Sequence, residues 1–543
     1  MTKRRVLMVG LDGYDPAVGD KFMARGELPA LEAFAGRSAR FALEHGEAKR
    51  TGLAWEHVST GRNPDAAKRW AAVHFDPQTY SVWQGPTALA PFPTALASRT
   101  VVFDPPYFDL GAAPDVRGVV AWGAHDPGVE AAARPATLSE ELRQRFGPYP
   151  AKPWIYGFVW PSARKTAAMG EALARAVDVR ADAAIWLLGE RLPDWDLGFV
   201  VVSELHSASE ALWHGMDEGH PLHGLPSAAP AGEGMRKVYR AVDRLVGKLT
   251  GAFSDATVVV FNLHGMGTNN SDVPSMALLP ELLMRDALGQ GLLSVPPEWS
   301  RGTGVPVLAE EETWRHAVGH LLPAARRKNR LATAWRRAPS WLGGGRQRGR
   351  VRTAGGTEGR SLEWMPAARY SKHWAAMPAF ALPSFYDGRV RINLAGRDAQ
   401  GKVPLAEYGA ACDAVERLLR ECRDPRTGEP VVAAVERHAA PDPQTLGPTE
   451  ADMVVLWRGS PLAFTHPRLG TIGPLPYRRP GGHTGGLGMA YVSGPGVAAA
   501  DFGLRSAFDV VPTVVELLGE TVPAWMSGTS FAQLLESRVT SPA

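Results

Sequence analysis

Residues 5 to 16 read RVLMVGLDGYDP. Val6 to Val9 is an uninterrupted apolar run, the pattern of a strand covered on both faces. The run ends in Gly10-Leu11-Asp12-Gly13. Aspartate after a strand often serves only a turn or a helix cap. The same position, just past the carboxyl end of a buried strand, is also where open parallel sheets bind their ligands. Recurrence favours the second reading. Leu197 to Ser203 (LGFVVVS) is followed at once by Glu204-Leu205-His206, and Ala256 to Asn262 (ATVVVFN) by Leu263-His264-Gly265.

Helical patterns lie between these runs. Ala163 to Glu190 is rich in Ala, Leu and Arg, and Glu233 to Phe253 carries Val238, Val242, Leu245 and Leu249 on one face. Strands alternating with helices predict a three-layer α/β/α sandwich around a mainly parallel sheet. Short strands at Thr100 to Phe103 and Gly118 to Trp122 read as an elaboration on that core. Phe380 to Leu394 reads as two strands about a Tyr386-Asp387-Gly388 turn. Leu405 to Arg420 and Phe508 to Leu518 read as helices, and Ala451 to Trp457 and Gly488 to Ser493 as strands.

The chain of 543 residues is long enough for several domains. We expect a core over 1–270 and 360–543, with 271–360 inserted. Arg326 to Arg352 holds ten Lys or Arg and no acid. That composition suits a solvated loop, a lid over an anionic substrate, or a nucleic-acid contact. The net charge of +3 gives nucleic acid no general support. Two cysteines, Cys412 and Cys422, supply neither a disulfide framework nor a thiolate metal site, so a reducing, cytoplasmic setting is expected. Lys3-Arg4-Arg5 precedes an apolar run too short for a signal peptide. No segment approaches the length of a membrane span. Nothing bears on the oligomeric state.

The densest cluster of histidines and acids is SELHSASEALWHGMDEGHPLHG, residues 203 to 224. His206 and Glu210 are four apart and share a helix face, a spacing that lets two ligands reach one metal. His214, Asp217, His220 and His223 follow; each alone reads more simply as a surface or capping residue. His483 sits in the glycine-rich PGGHTGG, residues 480 to 486. Thr51, in RTGLAWEHVSTGRNP (50–64), reads by itself as a helix N-cap.

Taken together and in order, these pieces resemble the alkaline phosphatase superfamily, in its type I phosphodiesterase/nucleotide pyrophosphatase branch. The set comprises VGLDGYDP, RTGLAWEHVSTGRNP, WGAHDP (122–127), SELH with WHGMD, LHGMG, FALPSFYDGRVRINLAGRD (380–398), GGHTGG and FDVVPTVVELLG. The resemblance implies a metal-dependent phosphohydrolase acting on a small-molecule phosphate ester, with one or two divalent ions, zinc or manganese. It implies Thr51 as nucleophile, ten residues before Gly61. It assigns Asp12, Thr51 and His264 to one ion, and His206, Glu210 and His483 to the other. Two such ions about 4 Å apart would stabilise the attacking and leaving oxygens of an in-line displacement.

The chain departs from the family at identifiable places. Leu263 stands where an aspartate ligand is expected, with Asn262 one position off and Glu204 a potential substitute. His206 and Glu210 exchange the usual Asp and His, which keeps an acceptable zinc set. Arg50, beside Thr51, could meet a phosphate. The readings left open are a one-cation enzyme, an altered two-cation enzyme, a phosphomonoesterase, and an inactive binding or scaffold protein. A sulfatase is excluded because position 51 is Thr and neither cysteine is near; a metal-dependent phosphoglycerate mutase would need a serine nucleophile.

Overall fold

The computed structural model describes residues 5–156, 161–301, 304–310, 312–322, 350–352, 358–439 and 442–536. The chain divides into two compact units. One comprises Met1–Trp70, Pro86–Asn270 and Tyr477–Ala543, the other Ala71–Gly85 and Ser271–Pro476. This division differs from an insertion ending at 360: the second unit runs on to Pro476 and recruits an early hairpin. The basic stretch 326–349 lies outside the described residues.

The first unit is built on a nine-stranded sheet. Its strands lie in the order Ala500–Ser506, Ala39–Glu44, Leu487–Ser493, Thr257–His264, Val6–Leu11, Leu197–Val202, Thr100–Phe103, Arg117–Val120 and Ala132–Arg134. All run the same way except Leu487–Ser493 and Ala132–Arg134. The predicted α/β/α sandwich is therefore the fold, with the mainly parallel sheet of the alkaline phosphatase type. The short strands at 100–103 and 117–120 belong to the main sheet and are not an elaboration on it.

Val6–Leu11 lies between two other fully buried strands, which accounts for its unbroken apolar run. On one face Leu7, Val9, Leu11, Val200, Val202, Val258 and Val260 join a core with Leu173 and Val177 of helix Ala163–Ile185, and with Val238 and Leu245 of helix Ala228–Ala252. On the other face Trp55 packs against Phe261 and Phe108 against Phe199. Gly10 is part of this packing: a Cβ there would lie 2.4 Å from the Trp55 ring.

One buried ion cluster ties the sheet's carboxyl ends to the helix that follows Val202. Arg180 is fully buried in helix Ala163–Ile185, and its guanidinium meets Asp104 at 2.9 Å and Glu204 at 2.9 Å. Tyr149 donates a further hydrogen bond to Glu204 at 3.0 Å. Two carboxylates and a guanidinium in a dry interior are tolerable only as a set, because each would otherwise be an unpaired buried charge.

The second unit holds two four-stranded sheets and a two-stranded hairpin among the described residues. Ala379–Leu382 and Gly388–Ile392 pair antiparallel about the expected turn. Ser81–Gln84 pairs with Glu358–Ser361, which is how the early hairpin joins the later chain. Among the described residues no helix is long and apolar enough to cross a membrane.

Arg180→Met leaves Asp104 and Glu204 without their counter-charge. It should cost about 3–5 kcal/mol in urea unfolding. Arg145→Ala, which breaks an exposed pair with Glu190, should cost under about 1 kcal/mol. Equal effects would remove the cluster from the account of this fold.

Candidate active site

Asp12 follows its strand directly. Its backbone N–H donates to the Val202 carbonyl at 2.9 Å, so the residue is held against the end of the neighbouring strand. That neighbour leads into helix Glu204–Leu212, which carries His206 and Glu210. Gly13 makes the approach feasible. Its φ is +76°, and a Cβ there would lie 2.3 Å from the His206 Cα. The closure brings His206 Nδ1 to 3.0 Å from Asp12 Oδ2. Burial pushes the Asp12 carboxyl up, but His206, with a further bond from Trp55, holds it below its ordinary value.

The expected i, i+4 pair forms, with His206 Nε2 3.3 Å from Glu210 Oε1. His483 Nε2 reaches His206 Nε2 at 2.9 Å. A further ligand-type residue joins them. His125 stacks on His206 with ring centroids 3.9 Å apart, and its Nε2 lies 3.4 Å from Glu210 Oε2. Its Nδ1 is 3.0 Å from Ser207 Oγ, which fixes the ring's orientation. Arg479, just before the PGGHTGG loop, forms an ion pair with Glu210 from a buried position. Burial pushes its guanidinium down to about 9.

Burial also drives the imidazoles towards neutrality. His125 is pushed down to about 3, His264 to about 4, and His483 well below its ordinary value. Neutral imidazoles offer lone pairs, the form a metal requires. His125, His206 and Glu210 can each present one ligand atom with all three atoms within 4.8 Å of one another. Three imidazoles and a carboxylate, with Asp12 alongside, form a donor set suited to zinc.

The other expected residues fall into two groups. His264 stands at the edge of the cluster, its ring 4.8 Å from His483 and parallel to His45 at 5.5 Å. Thr51 ends the 3-10 turn Gly46–Thr51 and is buried. Its hydroxyl donates to the Ala48 carbonyl at 2.7 Å and accepts from the Leu53 N–H at 3.1 Å. Its neighbours reach the site: Trp55 bonds Asp12, and Lys49 donates to the Gly485 carbonyl at 3.3 Å.

Glu204 and Asn262 are committed to partners outside the cluster. Glu204 is held by Arg180 and Tyr149 and cannot turn towards a metal. Asn262 spends its amide on the Tyr14, His264 and Met489 backbones. Arg50 pairs with Glu47 at 3.4 Å within its own turn. His214 binds Ser227 and His223 binds the His214 carbonyl, both within their own loop, while His220 accepts from Leu222 and also meets the Pro480 backbone and the Tyr477 ring.

The sequence reading passed over two site residues. His125 was signalled by WGAHDP, where a histidine follows a strand of the main sheet. Arg479 carried no signal beyond its place beside the glycine-rich loop.

The sequence profile of the type I phosphodiesterase / nucleotide pyrophosphatase family matches residues 6–354. The chain belongs to that family. Its members are phosphoester hydrolases, and this chain is a hydrolase of that broad class. No curated protein matches it by sequence. Among solved structures it is similar to phosphonoacetate hydrolase from Sinorhizobium meliloti 1021 in complex with phosphonoformate. The identity is 15%, with 95% of this chain and 96% of that chain covered and a TM-score of 0.48. It is also similar to human ectonucleotide pyrophosphatase / phosphodiesterase 5, at 9% identity over 98% of this chain and 99% of that one, with a TM-score of 0.44.

Buried neutral histidines outside the cluster predict how stability depends on pH. Burial pushes His57 down to about 3, and His214 and His220 to about 4. The unfolded chain takes up protons at these positions near pH 6.5, before the folded protein does. Their contribution is thus complete above pH 6.5 and lost as pH falls towards 4. Urea midpoints should drop between pH 7 and pH 5, and less steeply in His214→Asn. A pH-independent midpoint over that range would contradict the neutral assignment.

Proposed function

We propose that this chain hydrolyses phosphate esters of small molecules, with Thr51 as nucleophile and a divalent cation, zinc or manganese, held by His125, His206, Glu210 and His483 beside Asp12. The observation that carries this reading is the meeting of those five side chains at one rim of the parallel sheet. When bound, such a cation supplies Lewis acidity and neutralises charge on a phosphoryl oxygen.

The chain's own residues account for the rest. In the free protein the Thr51 proton is committed to the Ala48 carbonyl, which is no base, so attack requires the hydroxyl to turn away and lose that proton. The Leu53 N–H already points at Thr51 Oγ1 and would stabilise the alkoxide as its charge develops. The threonine oxygen, its proton passed to solvent, forms a bond to phosphorus; the bond to the leaving oxygen breaks, and that oxygen takes a proton from solvent to depart as the alcohol. Water then attacks the phosphothreonine, releasing phosphate monoester and restoring the hydroxyl. Arg479 pairs with Glu210 and orients it. Diesters are the first class to try, with monoesters the alternative. Both cysteines are free and buried, which supports a reducing, cytoplasmic setting.

Hydrolysis of bis-p-nitrophenyl phosphate with added zinc or manganese tests the reading. The protein should be active, and Thr51→Ala should lose on the order of 10³-fold or more in kcat while remaining folded by circular dichroism. An acid quench should leave phosphoryl label on Thr51. Equal activity in the two proteins would remove Thr51 from the mechanism. Activity in neither would favour a binding protein that kept the fold.

His125→Ala should bind zinc at least tenfold more weakly by calorimetry, and His214→Ala should bind it normally. If the two variants bind alike, the cation is held elsewhere.

A further inference from the structure

The family resemblance carries two cations, yet only one of the two positions has its donors here. At the other, the expected carboxylate is Leu263, whose side chain lines a pocket with His45, His57, Val58, Phe508 and Val511 and no acid. Nearby residues cannot replace it. Glu204 is bound to Arg180, Asn262 to three backbone groups, and His264 Nδ1 faces the Gly265 carbonyl at 3.2 Å. Asp15 accepts from the Val18 and Met266 N–H groups, and Asp12 Oδ2 is already bonded to His206 Nδ1. A dication at this position would lack the charge that normally holds it.

A positive charge is already present. Lys49 sits in the same turn as Thr51, and its Nζ donates to the Gly485 carbonyl at 3.3 Å. Gly485 lies directly on the strand end that carries His264: a Cβ on it would meet Gly265 C and Met266 N at 2.3 Å. An ammonium at this point would repel a second dication and attract the anionic group of a substrate.

We propose that the chain binds one divalent cation and not two, and that the Lys49 ammonium supplies the fixed positive charge at the second position. The proposal rests on the reading given under Proposed function. Loss of a carboxylate and presence of a lysine are then one change: a mobile dication exchanged for a tethered monocation. The lysine would bind a phosphoryl oxygen and favour the Thr51 alkoxide without exchanging with solvent metal.

The test counts metals and varies the lysine. Metal-free full-length protein is saturated with zinc, passed through a desalting column and assayed by elemental analysis and native mass spectrometry. The wild type should hold one zinc per chain. Lys49→Met should also hold one, with kcat/KM on bis-p-nitrophenyl phosphate lowered at least tenfold, and Lys49→Arg should recover most of the loss. The double variant Leu263→Asp/Lys49→Met should hold two. Two zinc ions in the wild type, or full activity in Lys49→Met, overturns the proposal and leaves the hydrolase reading standing. No retained zinc in any variant overturns the proposal as well, while loss of hydrolysis with both zinc and manganese overturns the hydrolase reading itself. If the double variant does not fold, the wild-type count and the two lysine variants still decide.

Discussion

The hydrogen bond between His206 and Asp12 is the contact on which the rest depends. It joins the end of one buried strand to the helix that follows the next, and it does so inside the protein. An isolated carboxylate in such a place would be costly. Here Asp12 is paired with an imidazole, and the other buried acid of the cluster, Glu210, is shared among His206, His125 and Arg479. The site is a set of charges and dipoles that are tolerable only together. The main-sheet strands bring them together because parallel strands end on one rim.

Close backbone approach makes the contact attainable. Gly13 lets the His206 backbone come within the radius of a side chain, and Gly10 does the same for the Trp55 ring on the opposite face. Behind them, Arg180 ties Asp104 and Glu204 together and anchors the helix that carries His206 and Glu210. Glu204 thus acts on the site from a distance, by fixing the helix. Lys49 and Arg479 bring positive charge to the site's margin.

The central strands were legible because each is buried on both faces and therefore reads as an unbroken apolar run. Asp12, His206, Glu210 and His483 were legible through their positions after strands, their helical spacing and a glycine-rich loop. The edge strands were harder. Ala39–Glu44 alternates buried and exposed positions and is short, and Ala500–Ser506 has scarcely any apolar pattern. His125 was passed over for a topological reason: the strands at 100–103 and 117–120 looked peripheral, so the residue after them was not expected at the rim. The roles of Glu204 and Asn262 depend on partners 24 to 248 positions away, which no local pattern reveals. The second unit begins with a hairpin at 71–85 that pairs with chain almost three hundred residues later, so its boundary has no local mark either.

The most direct measurement of the cation site is X-ray absorption at the zinc edge of the zinc-loaded protein. The account predicts a first shell of nitrogen and oxygen only, at about 2.0–2.1 Å. Its outer-shell imidazole scattering should correspond to three histidines, and to two in His125→Ala. A sulfur shell, or imidazole scattering that His125→Ala leaves unchanged, would contradict it.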